Sequence, residues 1–236
     1  MNENIYQRTE ILLGKGNVEK LKNKHIVICG IGGVGSYVLE ALARVGIGYL
    51  TIIDKDTVDV TNINRQIIAT LDSVGENKVD VAKNRVKLIN KEIKVKPIKL
   101  DITRENITDI IKEENIDYVV DCVDNIEAKI AIITECNQKN IKCISCMGMG
   151  NKLNPLDIKV SDIYKTINCP LSKIMRKKLK EEGIKKQKVV YSIEMPKRKT
   201  EEEKQKYGNT LGSISFVPST AGLIMASEIV KDLIEE

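Results

Sequence analysis

The chain has 236 residues and a formal net charge of +5, a length within the range of one domain and able to bury roughly 70% of its unfolded surface. Its apolar fraction of 42% comes from Ile, Val, Leu and Ala, because aromatic residues make up 3% and tryptophan is absent, the composition of buried parallel strands beneath helices. Six scattered cysteines, Cys29, Cys122, Cys136, Cys143, Cys146 and Cys169, make no disulfide framework and suit a reducing compartment. MNENIYQRTE has no signal architecture and no run reaches the roughly 18 apolar residues of a membrane span, so a soluble, cytoplasmic protein is expected.

From His25 the pattern alternates short apolar runs with amphipathic stretches: the strand HIVICG, a helix from about Gly33 to Val45, the strand YLTIID and a helix across Lys78 to Leu88. It continues with a strand near Val95 to Ile98, a helix near Glu105 to Glu113, the strand DYVVD, a helix from about Ala128 to Lys139 and the strand CISC. Such βαβ alternation predicts an α/β fold with a Rossmann-like, doubly wound, mostly parallel sheet over residues 1–150. After Gly150 the rhythm changes. DIKVSDIY and VVYSIEM read as strands around the basic helix LSKIMRKKLKEEG, which predicts a small C-terminal α+β region over 151–236. Within it, MPKRKTEEEKQKYGN is nearly all charged or polar, so a mobile loop is expected at about 196–209. Ordered chain resumes at SISFV, and a closing helix starting at Pro218 or Ser219 should pack Leu223, Ile224, Ile229 and Leu233 on the sheet.

Gly30, Gly32, Gly33 and Gly35 form a G-x-G-x-x-G turn after a strand and before a helix, the context in which glycines admit phosphates to a helix N-terminus. Asp54 ends the next strand, where a carboxylate can accept from both ribose hydroxyls. These features point to an adenosine nucleotide and leave NAD and ATP both open. Asp56 adds a second carboxylate, more suited to a metal than to a dinucleotide.

Asn62, Asn64, Arg65 and Gln66 follow in VTNINRQI, and Lys78 in VGENKVDVAK. Amides with one arginine and one lysine supply the density of charge-assisted donors that a triphosphate needs. A turn, a cap and surface charge are the alternative. Asp121, Asp124 and Asn125 stand at the carboxyl end of DYVVD. Asp124 there either holds magnesium or caps the next helix, and Asp121 either meets ligand or makes a structural bond to the glycine turn.

GIGGVGS, IIDKDTVDVTNINRQ, VGENK and DCVDN, in this order and spacing, resemble the adenylation family of ThiF, MoeB and the ubiquitin-activating enzymes over roughly the first 150 residues. The resemblance implies ATP and magnesium, with Gly33 at the phosphates, Asp54 at the ribose, Asn62, Asn64, Arg65 and Lys78 on the phosphates, and Asp124 with the metal. Tyr6-Gln7-Arg8, followed by Leu12 and Gly14, also fits. Family members take an arginine like Arg8 from the partner subunit, which implies a homodimer and adds Arg8 to Arg65, Lys78 and Asp124 as catalytic candidates.

Only Cys143 and Cys146 have CxxC spacing and His25 is the single histidine, so no four-ligand zinc site is expected. Both cysteines read as small core residues on a buried strand. Cys169 is expected to be better exposed, without a base to activate it. SCMGMGNKLNPLDIKVSDIYKTINCPLSKIMRKKLKEEG, KVVYS and GSISFVPSTAGLIMASEIVKDL resemble the tRNA threonylcarbamoyladenosine dehydratase branch. That resemblance implies adenylation of the threonyl carboxylate on a modified adenosine beside the anticodon, then intramolecular cyclisation that expels AMP. Arg176, Lys177, Lys178, Lys180, Lys185 and Lys186 would then grip tRNA phosphates; a solvated lysine-rich face is the bland alternative. The polar stretch 196–209 stands where some relatives carry a cysteine-rich insertion. Sulfur-relay or redox partner proteins stay open. Rival readings are activation of a sulfur-carrier protein C-terminus, an NAD-binding oxidoreductase, which would need a hydride-transfer acid or base, and a tRNA-binding protein without catalysis.

Overall fold

The computed structural model describes residues 4–112 and 115–235. Its helices are α1 Gln7–Leu13, α2 Lys15–Lys22, α3 Gly35–Val45, α4 Lys78–Ile89, α5 Ile107–Ile110, α6 Ile126–Gln138, α7 Pro170–Glu181, α8 Glu201–Tyr207 and α9 Phe216–Ile234. The strands are β1 His25–Cys29, β2 Tyr49–Ile53, β3 Lys94–Ile98, β4 Tyr118–Asp121, β5 Lys142–Cys146, β6 Ile158–Asp162 and β7 Lys188–Ser192.

These strands form one seven-stranded sheet in the order β3-β2-β1-β4-β5-β7-β6. Every pairing is parallel except β6 with β7. The chain winds outward from β1 to β3 and then from β4 toward β7, so the direction reverses between β1 and β4. A ligand crevice belongs beyond the carboxyl ends of those two strands.

Both faces of the sheet are buried, which explains why its central strands read as unbroken apolar runs. Ile26, Ile28, Leu50, Ile52, Val120 and Ile144 point to one side and pack under Leu39 and Leu42 of α3, Val86 of α4 and Met225, Ile229 and Leu233 of α9. Val27, Cys29, Ile53 and Val119 point to the other and pack on α5 and α6, with Ala131, Ile132 and Cys136 closing the layer. Each such aliphatic chain contributes about 1.5–3 kcal/mol when fully buried. Farther along, Val189 and Tyr191 of β7 meet Met175 and Leu179 of α7. Glu40 locks α3 to α4 by accepting from Arg85 Nε at 2.6 Å and from Arg44 Nε at 2.8 Å. Burial alone would raise its carboxyl, and the two arginines override that and hold it below its ordinary value.

The structure differs from the sequence reading in several places. The small C-terminal region expected from residue 151 extends the same sheet by β6 and β7. The helix expected over Glu105–Glu113 is one turn, Ile107–Ile110, and Glu113 lies outside the described residues. The stretch 196–209 carries α8, begun by a reciprocal capping box between Thr200 and Glu203, a local device that nucleates a helix with no buried residue. The closing helix starts at Phe216, before Pro218, and Leu223 on it is 49% exposed, whereas Ile229 and Leu233 are buried as expected. Ahead of β1, α1 and α2 were not foreseen. The residue before them, Tyr6, is buried and its hydroxyl accepts from Asn90 Nδ2 at 2.6 Å. Among the described residues no helix is long and apolar enough to cross a membrane.

Candidate active site

The turn after β1 can close only with glycine. Gly30 has φ +88° and a Cβ there would stand 2.9 Å from the Cys122 carbonyl group, while a Cβ on Gly35 would stand 1.8 Å from the Gly30 oxygen. Residues 30–35 therefore lie flat against the β4 loop and deliver the chain into α3. The amides of Gly32, Gly33 and Val34 meet no protein acceptor among the described residues. Such orphan amides, at the positive end of a helix, form an anion site.

A cavity of about 340 Å³ opens on them at the β1/β4 reversal, lined by Gly30, Gly32, Gly33, Asp54, Asp56, Asn62, Arg65, Gln66, Lys78, Asp124 and Asn125. Asp54 accepts from the amide of Ile31 at 2.7 Å and of Asp56 at 2.9 Å. It thus makes the bond to the glycine turn that was one reading of Asp121. Lys78, the first residue of α4 and 5% exposed, donates to Asp56 at 2.8 Å and lies 3.9 Å from Asp54. Arg65 donates to the Thr61 carbonyl at 2.8 Å and to Asn64 Oδ1 at 2.9 Å. Gln66 is buried, and its Oε1 has no partner among the described residues. A desolvated acceptor of this kind costs about 1–3 kcal/mol until a ligand supplies a donor.

Three sequence candidates are not on this lining. Gly35 lies beneath the turn. Asn64 instead donates to the Ser213 carbonyl at 3.0 Å. Arg8 is exposed on α1. Asn125, not Asp124, caps α6 by accepting from the Ala128 amide at 3.0 Å. That leaves the exposed Asp124 carboxylate without a hydrogen bond or ion pair among the described residues.

Asp121 does not line the cavity. It is fully buried and accepts from Lys129 Nζ at 3.0 Å, from the Ser145 hydroxyl and from the Val123 amide at 3.2 Å. Lys129 also donates to the Cys146 carbonyl at 2.7 Å. Asp121 raises the Lys129 amine above its ordinary value although burial opposes it. Lys129 escaped the sequence reading. Its signal was a lone cation in the otherwise apolar AKIAII stretch of α6, which demands a buried counter-charge. Also missed were the apolar flank Ile53, Leu100, Ile102, Val123 and Ala128 and the opposite wall of Met149, Gly150, Ser213 and Pro218. The carboxyl-end rule for such sheets could have found Leu100 and Ile102 beyond β3.

The basic segment splits by environment. Arg176 is half-buried and donates to the Thr166 carbonyl at 2.9 Å, and Lys178 pairs with Glu127. Lys177, Lys180, Lys185 and Lys186 are exposed, as is Lys173, so Lys173, Lys177 and Lys180 line one face of α7 at helical spacing. Cys169 is buried, 5% exposed, contrary to the expected exposure, because it sits under α7 in an apolar cluster. Cys143 and Cys146 belong to the core as expected. The Cys146 thiol is pushed up to about 12 by burial. Among the described residues no three His, Cys, Asp or Glu side chains group as metal ligands.

The ThiF family model matches residues 6–236. The tRNA threonylcarbamoyladenosine dehydratase of Bacillus subtilis is 41% identical, over 98% of this chain and 95% of that protein. The crystal structure of the E. coli tRNA N6-threonylcarbamoyladenosine dehydratase TcdA in complex with ATP matches with a TM-score of 0.88 at 33% identity, covering 98% of this chain and 93% of that one. The same E. coli enzyme in complex with AMP matches with a TM-score of 0.89 at 32% identity, covering 97% and 93%.

Removing one partner of a buried ion pair strands the other charge, at a cost of about 3–5 kcal/mol. Lys129→Met should therefore lower unfolding free energy by about that amount in urea melts, and Lys129→Met with Asp121→Asn should recover a large part of it. Equal loss in both variants would show that the pair is not what holds these strand ends.

Proposed function

We propose, for a chain that belongs to the ThiF family, that it is an ATP-dependent tRNA threonylcarbamoyladenosine dehydratase. The observation that carries this reading is the set of orphan amides at the start of α3 facing Arg65, Lys78 and Asp124 across one cavity. Likeness along the whole chain to the Bacillus subtilis dehydratase supports it. Carrier-protein activation and NAD oxidoreduction are not favoured. His25, the single histidine, begins β1 at the end of the strand away from Gly30, so no imidazole stands at the site to move a proton with a hydride.

A carboxylate is a poor electrophile until it has a leaving group. An oxygen of the threonyl carboxylate attacks the α-phosphorus of ATP, the bond to pyrophosphate breaks, and an acyl-adenylate results. The glycine-turn amides, Arg65 and Lys78 stabilise the charge gathering on the phosphate oxygens. The carbamoyl group of the same modified nucleoside then attacks the acyl carbon, AMP leaves with its electron pair, a proton is lost and the ring closes. Proximity within one side chain is worth effective molarities of about 10⁵–10⁸ M, so no protein nucleophile is required. The cysteines agree with this, since desolvation raises the thiols of the buried Cys29 and the half-buried Cys122 well above their ordinary values.

The cavity lining carries four carboxylates, Asp54, Asp56, Asp101 and Asp124, against three cations, Lys55, Arg65 and Lys78. A triphosphate entering a site of net negative charge needs cations from elsewhere. Asp124 would be the residue to hold magnesium, which would supply positive charge for the phosphates. A second source is Arg8 of a partner subunit in a homodimer. Supporting the homodimer, Ile5 and Leu88 line one groove at 66% and 89% exposure, and Ile11 and Leu12 on α1 are uncovered beside Arg8. The exposed lysine face of α7 is the surface for tRNA phosphates. With ATP and tRNA as substrates, the cytoplasm is the working compartment.

AMP and pyrophosphate release should require tRNA bearing threonylcarbamoyladenosine; release with unmodified tRNA or with a carrier protein instead would overturn the assignment. Asp124→Ala should cut turnover by about 10²–10³-fold, the range for lost transition-state electrostatics, while thermal melting is unchanged. Mixing inactive Arg8→Ala and Asp124→Ala proteins should restore about a quarter to a half of wild-type activity, because a mixed dimer keeps one intact site; no recovery on exchange of subunits removes Arg8 from the partner's site. Lys177→Glu with Lys180→Glu should weaken tRNA binding and flatten its salt dependence by about one to two units of log–log slope, and an unaltered slope removes α7 from the tRNA surface.

A further inference from the structure

Between β7 and α9 the chain leaves the body, forms α8 and returns over the cavity. α8 buries no residue. The excursion holds itself together locally, through the Thr200–Glu203 capping box, an ion pair of Lys204 with Glu201 and donation by Lys199 to the Gly208 carbonyl at 2.6 Å. Among the described residues, every hydrogen bond tying residues 197–212 to the rest of the protein ends on Asn151. The Lys197 amide donates to the Asn151 carbonyl at 2.7 Å, the Asn151 amide donates to the Gly212 carbonyl at 2.8 Å, and the Gly212 amide donates to Asn151 Oδ1 at 2.6 Å.

Asn151 therefore grips both ends of the excursion at once. It does so with φ +57°, a left-handed conformation that asparagine adopts more readily than other residues with a side chain. The return limb, residues 208–215, is then set against the site. Leu211 packs on Gly150, Asn64 holds the Ser213 carbonyl at 3.0 Å, and Ser213 with Met149 and Gly150 lines the cavity. This wall stands across from Ile53, Asp54, Leu100 and Ile102, the flank suited to adenosine. The limb therefore bounds the cavity on the β5 side, away from that apolar flank at the ends of β2 and β3.

We infer that Asn151 is the positioning residue for the acceptor substrate: it clamps the 197–212 excursion so that its return limb forms the wall that receives the modified nucleoside. The inference rests on the dehydratase reading for the identity of that substrate, and on the hydrogen bonds alone for the clamp. Asn151 does not touch the reacting atoms. Its loss should weaken tRNA productively bound at the site and leave ATP binding alone.

Three variants of the full chain separate the contributions. Asn151→Asp keeps an acceptor oxygen and tolerates the left-handed backbone; Asn151→Gly keeps the backbone and loses the acceptor; Asn151→Ala loses the acceptor and is strained. In Asn151→Ala, tryptic cleavage after Lys197, Arg198, Lys199, Lys204 or Lys206 should be about tenfold faster and KM for modified tRNA about tenfold higher, the scale of one lost hydrogen bond with strain. In the same variant, kcat at saturating modified tRNA should stay within twofold, as should ATP affinity measured by binding in the absence of tRNA. Asn151→Gly should fall between, and Asn151→Asp should match wild type. Wild-type cleavage and KM in both Ala and Gly variants overturn the inference, as does an Asp variant as impaired as Ala, or ATP affinity falling in step with tRNA. Should the Ala variant not fold, the Gly and Asp variants decide by the same readings. If wild-type protein releases no AMP with modified tRNA, the dehydratase reading fails, while the trypsin and ATP-binding measurements still decide the clamp.

Discussion

Lys129 and Asp121 meet at 3.0 Å with side chains 1% and 0% exposed, at the point where the winding direction of the sheet reverses. Asp121 ends β4 in register with Cys29 on one side and Ser145 on the other. Through its own acceptors and through Lys129's bond to Cys146, it fixes the last residues of β4 and β5 and the Val123 amide of the β4 loop. Gly30 rests against that loop at Cys122, and Asp124 projects from it. The glycine turn and the free carboxylate thus share one foundation. Two desolvated charges are an expensive way to join strand ends unless their hydrogen bonds are filled. Here the pair has filled them with Ser145, Val123 and a carbonyl, which gives a directional joint that apolar packing could not.

Above that joint, the site is short of positive charge. Lys78 is already engaged with Asp56, and Lys55 with Asp101. Arg65 is braced by a carbonyl and an amide oxygen and makes no ion pair among the described residues, which sets its direction without tying its charge to a carboxylate. The strongest fixed attraction for phosphate is then backbone, the orphan amides at the start of α3. An anion held by backbone is positioned without ordering long side chains, and the deficit of charge makes binding depend on cations the chain does not itself bring to the cavity. Both the magnesium and the partner arginine of the proposed mechanism answer that deficit.

Much of this was legible in the sequence because the signals are local. The βαβ rhythm, the glycine spacing and Asp54 at a strand end are each set within a few residues, and they placed the sheet and most of the cavity lining. What escaped depends on partners far away in the chain. Lys129 is intelligible only with Asp121 and the end of β5 beside it. Arg176 looked like one of a row of solvated cations until Thr166 folded against it. Cys169 follows a polar stretch, yet α7 covers it. Asn64 shares a motif with Arg65 and turns away toward Ser213, 149 residues on. In the polar stretch 196–209 the low hydrophobicity was read correctly as an absence of core, while the capping box that starts a helix without one was overlooked.

That last case bears on how such a site is closed. An element with so little buried apolar surface depends chiefly on its hydrogen bonds, and those that converge on a single residue can be made and broken together. If the excursion were packed into the core, the wall bearing Ser213 would be permanent and a substrate as bulky as a folded RNA could reach the cavity only past it. If it had no attachment, the wall would not exist for most of the time and the acyl oxygen would meet the phosphates in water. An attachment concentrated on Asn151 lies between these limits. It gives a wall that is formed in the resting protein and needs the loss of only a few bonds to open, so access for the nucleoside and exclusion of water from the acyl-adenylate can be served by the same short segment.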